Sequence, residues 1–275
     1  MHTTVRRDGS WPLPEGLAEA IRGTAEEIAA LVRDAGDTAL AVPGSEWTVG
    51  EAAAHLALAN ELMADLAAGR ERPYGDGTPE SLAGANAASL TVFAERRAEP
   101  LGAMIRERAE AFLDALSRAA ADGPAPVTPL GPMNRSVLAS YLLTHMLGHG
   151  YDLARALKRP HMVDRERVGL CMPFMFSVMP RVANPAATAG LTARYHIRLR
   201  GGEAFAVSLA EGAVQVTPGA PAERAACTIL LDPVAFLLIA LGRLSPWRAI
   251  AQGRVFAWGP RPWLAPRFPA LFTAP

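Results

Sequence analysis

The stretch Trp47-Thr48-Val49-Gly50-Glu51-Ala52-Ala53-Ala54-His55-Leu56 decides how the first half of this 275-residue chain is read. Thr48 and Glu51 form the T-x-x-E pattern of a capping box, so a helix opens behind Thr48. His55 falls about one and a half turns into that helix, among alanines that leave room around an imidazole. Leu58, Leu62 and Leu66 carry the helix on to near Gly69. Upstream, Leu17, Ile21, Ile28, Leu31 and Val32 share one face of a helix from Glu15 to near Gly36. Pro43-Gly44 makes the turn between the two. Downstream, Arg70 to Pro79 is rich in Gly and Pro and reads as a loop. A long helical segment is expected from Ser81 to about Ala121, with Pro100 as its candidate break. Residues 123–133 hold four prolines and form a second connection. Asn134 caps a helix that runs to about Leu157, and Val168–Val182 reads as a short bridging helix. Four main helices joined in this way predict an up-and-down bundle.

Beyond Asn184 the apolar period changes from helical to two. Tyr195–Leu199, Phe205–Leu209 and Val214–Val216 alternate as strands do, with Gly201-Gly202 and Glu211-Gly212 placed where hairpin turns belong. Cys227–Leu231 is a short apolar strand. Asp232-Pro233 then opens a helix through Leu241, with Asp at the cap and Pro at its first position. Arg254–Trp258 reads as a strand and a short helix ends the chain. The expected fold is α+β in two domains: a helical bundle over residues 10–160, a connecting helix over 161–183, and a small α+β domain over 184–275.

The chemistry concentrates in the six histidines, His2, His55, His145, His149, His161 and His196. His145 and His149 stand four apart, so both imidazoles project from one helix face about 6 Å apart. One helix supplies two ligands to one metal by this spacing. Asp152 continues the stripe and is placed to orient an imidazole through its outer nitrogen, to contact substrate or to handle a proton. Together with His55, His145 and His149 would form an open three-ligand site, the arrangement of a catalytic metal. The spacing alone also fits surface or satisfied core histidines. His161, beyond a helix terminus, and His196, in a strand, read as structural. Cys171 and Cys227 lie in apolar surroundings and read as inert buried thiols. The Met172–Met179 cluster reads as adaptable core or pocket wall, and Trp247, Trp258 and Trp263 as packing anchors.

Composition excludes several classes of function. Charge balances at 27 basic and 27 acidic side chains, with a pI near 7.0, so no long-range field draws nucleic acid or an anionic membrane. Mean hydropathy is +0.13, yet no uninterrupted apolar run of about 18 residues predicts a membrane span. The N-terminal decapeptide lacks the apolar core of a secretory signal, and two cysteines make no disulfide framework, so a reducing cytoplasm is expected. One lysine, Lys158, against 26 arginines reads as the bias of a GC-rich genome. No Gly-rich phosphate loop or G-x-S-x-G elbow supports nucleotide binding or serine hydrolysis.

The Trp47–Leu56 string resembles the W-T-V-x-(D/E)-x-x-x-H-L signature of DinB-like bundles, in their mycothiol-dependent maleylpyruvate isomerase branch. His149-Gly150-Tyr151-Asp152-Leu153-Ala154-Arg155-Ala156 is similar to the H-G-W-D-L-A-x-A segment of the same family. The resemblance implies that His55 and His149 are metal ligands. The position four residues before the second histidine is usually Glu in this branch and is His145 here; three-histidine sites are common in the wider superfamily. The strands, the Asp232-Pro233 helix, Gly253–Val255 and Trp258-Gly259-Pro260 look like a sterol-carrier-protein-like domain. Leu241-Gly242-Arg243 is similar to the family's W-L-x-G-R string, which implies a catalytic and thiol-binding role for Arg243. A cation at a helix C-terminus is the plainer reading of that arginine.

These readings combine into one expected mechanism. A divalent metal on His55, His145 and His149, with zinc first and nickel, cobalt, iron or copper compatible, would favour the thiolate of an incoming thiol. The resemblance names that thiol as mycothiol, the low-molecular-weight thiol of actinobacteria. The thiolate would isomerise, or be transferred to, a small electrophilic substrate held in the cleft between the domains. Arg243, with Arg254 or Arg261, would clamp a carboxylate. The alternative is a non-enzymatic carrier that binds an apolar ligand through the C-terminal domain.

Overall fold

The computed structural model describes residues 13–76, 78–118, 125–221 and 223–273. The N-terminal decapeptide and His2, weighed above, lie outside them. The chain forms two compact units, Leu13–Val163 and Asp164 onward.

The first unit is helical. α1 (Leu17–Arg33) buries Leu17, Ile21, Ala25, Ile28 and Val32 on one stripe. α2 (Val49–Ala67) begins at the expected capping box: Glu51 N–H donates to Thr48 Oγ1 at 3.2 Å, and Thr48 N–H donates to Glu51 Oε2 at 2.8 Å. These bonds to Thr48 hold the Glu51 carboxyl below its usual range. Gly69, with φ 73°, follows the end of α2. α3 (Leu82–Val92) and α4 (Ala98–Arg118) follow. The long segment expected from Ser81 to Ala121 is therefore two helices, and the break lies at 93–97 rather than at Pro100. Arg96 causes it by donating to the carbonyls of Leu90 and Phe93, which satisfies the end of α3. Glu95 Oε1 accepts from the backbone N–H groups of Arg96 and Arg97 as the chain turns into α4. Pro100 sits in the first turn of α4, where its missing N–H removes no helical bond. A short hairpin, β1 (Val127–Thr128) with β2 (Gly131–Pro132), precedes α5 (Arg135–Ala156). Asn134 caps α5 by accepting from Val137 N–H. α1 and α2 each pack against both α4 and α5, which closes the four-helix bundle.

Two glycines permit close approaches that position the histidine helices. A Cβ on Gly150, beside His149, would lie 2.7 Å from Met162 Sδ and 3.0 Å from Ile28 Cδ1, so α5 meets α1 there only without a side chain. A Cβ on Gly50 would lie 3.2 Å from the Arg96 carbonyl and 3.3 Å from that of Thr38, which Gly50 N–H also contacts.

The second unit begins with α6 (Arg165–Val178), which packs on elements further along the chain. α6, which lies within 161–183, packs in the second unit, where its apolar residues, Phe174 and Phe176 among them, are buried. After the single turn α7 (Pro185–Thr188) come β3 (Ala193–Leu199), β4 (Ala204–Ala210), β5 (Ala213–Pro218) and β6 (Cys227–Leu231). α8 (Pro233–Ala240), α9 (Pro246–Ala251), β7 (Val255–Trp258) and two short 3-10 turns complete the fold. The sheet order is β5-β4-β3-β6-β7, antiparallel except for the β3–β6 pair. Glu211 and Gly212, with φ of 52° and 80°, make the tight β4–β5 turn. Phe205 stacks edge-on against Phe176 of α6 and Phe236 of α8, which joins the helices to one face of the sheet.

Thr48→Ala is expected to cost about 1 kcal/mol and to lower the melting temperature by roughly 2–4 °C, read by thermal circular dichroism. Glu51 has its pKa lowered in the fold, so the stability it adds is present above the unfolded carboxyl pKa and is lost as pH falls through the folded value. The deficit of Glu51→Ala should therefore shrink in acid.

Candidate metal centre

α2 and α5 bring His55, His145 and His149 together with one ligand atom of each within 4.8 Å of the others. His55 Nε2 faces His145 Nε2 at 3.0 Å. The ring centroids lie 5.0 Å apart for His55–His145, 4.8 Å for His55–His149 and 4.6 Å for His145–His149. His55 is buried, and burial lowers its pKa to about 4, so its imidazole is neutral and ligand-competent at neutral pH. His145 and His149 are half-buried. The donor set therefore fits a divalent ion bound by nitrogen.

Asp152 lies behind the cluster, its Oδ2 3.6 Å from His149 Nδ1. This arrangement leaves His149 Nε2 for the site, with the carboxylate behind the ring. Two residues to which the sequence reading gave no role at the site also shape the centre. Trp47 packs against His55 at 4.8 Å and stacks on His149 at 5.9 Å, covering one side of the imidazoles. Tyr141 meets His145 edge-on at 6.3 Å, and burial raises its hydroxyl pKa to about 12. The signals were present: Trp47 stands one residue before the helix cap, and Tyr141 lies four before His145 on the same stripe.

A profile described as the mycothiol maleylpyruvate isomerase N-terminal domain matches residues 19–154, and one described as the SCP-2 sterol transfer family matches 178–259. The chain belongs to the mycothiol-dependent maleylpyruvate isomerase family. Among solved structures, a mycothiol-dependent maleylpyruvate isomerase is 15% identical and has a TM-score of 0.48, with 90% of this chain and 92% of that chain covered. A histidine-to-alanine variant of such an isomerase has the same identity and coverages and a TM-score of 0.51. The stereoselective inverting sec-alkylsulfatase Pisa1 from Pseudomonas sp. is 18% identical with a TM-score of 0.34; the match covers 66% of this chain but only 26% of that one. No curated protein sequence matches the chain. The family's architecture, a DinB-like bundle before a sterol-carrier-like domain, is the one seen here.

The remaining sequence candidates belong to other elements. Arg243 sits in the turn that closes α8, where its Nη1 donates to the Leu241 carbonyl. Arg254 pairs with Asp232, the carboxylate that caps α8, so its guanidinium has a local structural partner. Arg261 is exposed beyond β7. His161 is exposed against the Tyr151 ring, and His196 lies on β3 with its pKa lowered by burial and by Arg198. Cys171 and Cys227 are buried without a disulfide, and burial raises the Cys227 thiol to about 11. Met175 and Met179 line an apolar cavity of about 280 Å³ inside the second unit, with Phe174, Ile229, Phe236 and Ile250.

Both thiols are buried, and burial holds that of Cys227 protonated. An aromatic disulfide reagent should react with the native protein far more slowly than with the unfolded chain, where both thiols titrate. Fast native labelling of Cys227 would contradict its burial.

Proposed function

We propose that the protein is an enzyme that uses a low-molecular-weight thiol, mycothiol, to isomerise or to modify by S-transfer a small electrophilic substrate. The single observation carrying this reading is the convergence of three imidazoles from two helices, in a member of this family. His55, His145 and His149 would hold a divalent ion, zinc first among the metals that nitrogen donors accept, with nickel, cobalt, iron and copper also compatible. When bound, that ion supplies Lewis acidity, which favours the thiolate form of an entering thiol near neutral pH.

The chain's own residues do the rest. Asp152 holds the His149 ring in place and is our candidate for proton handling at the site. Trp47 shields the imidazoles from water on one side. Arg243 is proposed to bind a carboxylate of the thiol or the substrate; Arg254 is left as a secondary candidate because Asp232 already engages it. In isomerisation the thiolate adds to an activated double bond, the resulting single bond rotates, and elimination returns the thiolate. In S-transfer the thiolate displaces a leaving group and remains on the substrate. Because imidazole ligands carry no charge, a site held by His55, His145 and His149 would favour anionic electrophiles. The reading implies a reducing, actinobacterial cytoplasm.

A second reading has its own observation. The apolar cavity of the second unit has the volume of a small-ligand site and supports a carrier of apolar molecules. Metal exchange and added thiol separate the two: in an enzyme they change a reaction rate, in a carrier only thermal stability.

Purified protein should contain about one equivalent of divalent metal, and His145→Ala should lose it while keeping its helical signal. Wild-type protein that takes up no metal on reconstitution would overturn the proposal. Asp152→Ala should weaken metal binding roughly 10–100-fold. Arg243→Ala should retain metal and raise the KM for thiol or substrate; unchanged kinetics would return Arg243 to a helix-closing role.

A further inference from the structure

Trp247, Trp258 and Trp263, expected as packing anchors, are 65%, 43% and 63% exposed, which corrects that expectation. Asn60 departs from its residue type in the opposite sense: this polar side chain of α2 is fully buried. A buried amide must find its partners inside the protein. Asn60 Nδ2 donates to the carbonyl of Ile105, in α4, at 3.1 Å and reaches Met146 Sδ, in α5, at 3.7 Å. Asn60 Oδ1 is buried and has no hydrogen-bond partner among the described residues. An orphaned acceptor costs stability, so the gain from this side chain has to be sought elsewhere.

The packing around Asn60 does little to fix how α2 sits. Every buried residue of α4 is apolar or glycine, and α2 buries six alanines. Small side chains interlock weakly, so packing alone is a poor guard against sliding or turning of α2. A directional bond in such an interior selects one register, the best-attested use of a buried polar residue. The neighbouring Glu61 also ties α2 to α4, through Arg108 at 2.6 Å, but with both side chains partly exposed. Register matters here because of His55. It stands five residues before Asn60, about 7.5 Å along the axis, with its Nε2 3.0 Å from His145 Nε2. A slip of α2 by one residue would move His55 about 1.5 Å and turn it about 100°, out of line with His145. The second contact bears on the same geometry, because Met146 follows His145 in α5. One carboxamide thus touches both of the helices that α2 meets most closely after α1 is set aside, α4 and α5.

We propose that Asn60 is a positioning residue of the candidate metal centre: its buried carboxamide fixes the register and rotation of α2, so that His55 completes the donor set with His145 and His149. Asn60 acts through the placement of α2 and not on a ligand or a reacting atom. The inference rests on the reading that these three histidines hold a divalent ion.

The test reads stability and metal binding separately in the full-length protein, with cobalt(II) as the probe because its visible absorption reports ligand geometry. Wild type should bind about one equivalent, and His55→Ala should lose it. Asn60→Leu keeps a similar volume while removing the hydrogen bond and the orphaned acceptor together. Its metal-free melting temperature should hold or rise, yet its cobalt affinity should fall roughly tenfold or more and its absorption bands should shift. Asn60→Ala, which adds no bulk, should show the same loss of affinity and the same altered spectrum. A role confined to packing would change stability and leave the cobalt spectrum as in wild type. The proposal is overturned if both folded variants bind cobalt with wild-type affinity and spectrum while His55→Ala does not bind it; the metal-centre reading then survives alone. It is also overturned if both variants fail to fold, which would make Asn60 a determinant of folding. Wild-type protein that takes up no cobalt would overturn it together with the metal-centre reading.

Discussion

Three imidazoles held with ligand atoms within 4.8 Å of one another are the constraint on which the first unit depends. They come from two helices remote in sequence, so the bundle must fix both the rotation of α2 and its depth against α5. The capping box fixes where α2 starts, and with it the face His55 presents. The alanines around His55 let the helix pack closely, and Gly150 lets α5 approach α1 beside His149. Burial of His55 keeps its ring neutral, while Asp152 and Trp47 limit the freedom of His149. Packing and chemistry thus impose the same geometry, which favours a unique arrangement over a loosely gathered polar cluster.

The second unit solves a different problem. Its sheet buries one face beneath α6 and α8, yet the side chains between them leave an apolar cavity of about 280 Å³. Methionines at 175 and 179 form part of the wall, a residue type that adapts to variable ligand shapes. The arginines of this unit divide by environment. Arg254 is drawn into an ion pair that also steadies the cap of α8, whereas Arg248, Arg261 and Arg267 stay exposed.

Much of the architecture was legible in the sequence because it is locally encoded. Thr48 with Glu51, Asn134 and Asp232 cap the helices that their spacing predicts, and each does so with its own side chain. The period-two strands and the Glu211-Gly212 turn also follow from neighbours in sequence. The break between α3 and α4 was less legible. Arg96 ends α3 through side-chain bonds to carbonyls up to six residues back, and no propensity scale registers such a bond. The two-residue strands β1 and β2 and the one-turn-and-a-half helix α9 were too short for their periodicity to stand out.

The candidate centre was legible to the extent that helical spacing sets it. His145, His149 and Asp152 share a stripe because three and four residues bring side chains to one face of α5. That determination belongs to the sequence by itself. Whether His55 of α2 meets that stripe, whether Trp47 covers it, and whether the arginines of the second unit are paired or exposed were decided only by tertiary structure. Local spacing fixes the direction of a side chain from its own helix or strand. Meeting partners ninety residues away depends on how whole faces pack, and packing is a property of the folded chain.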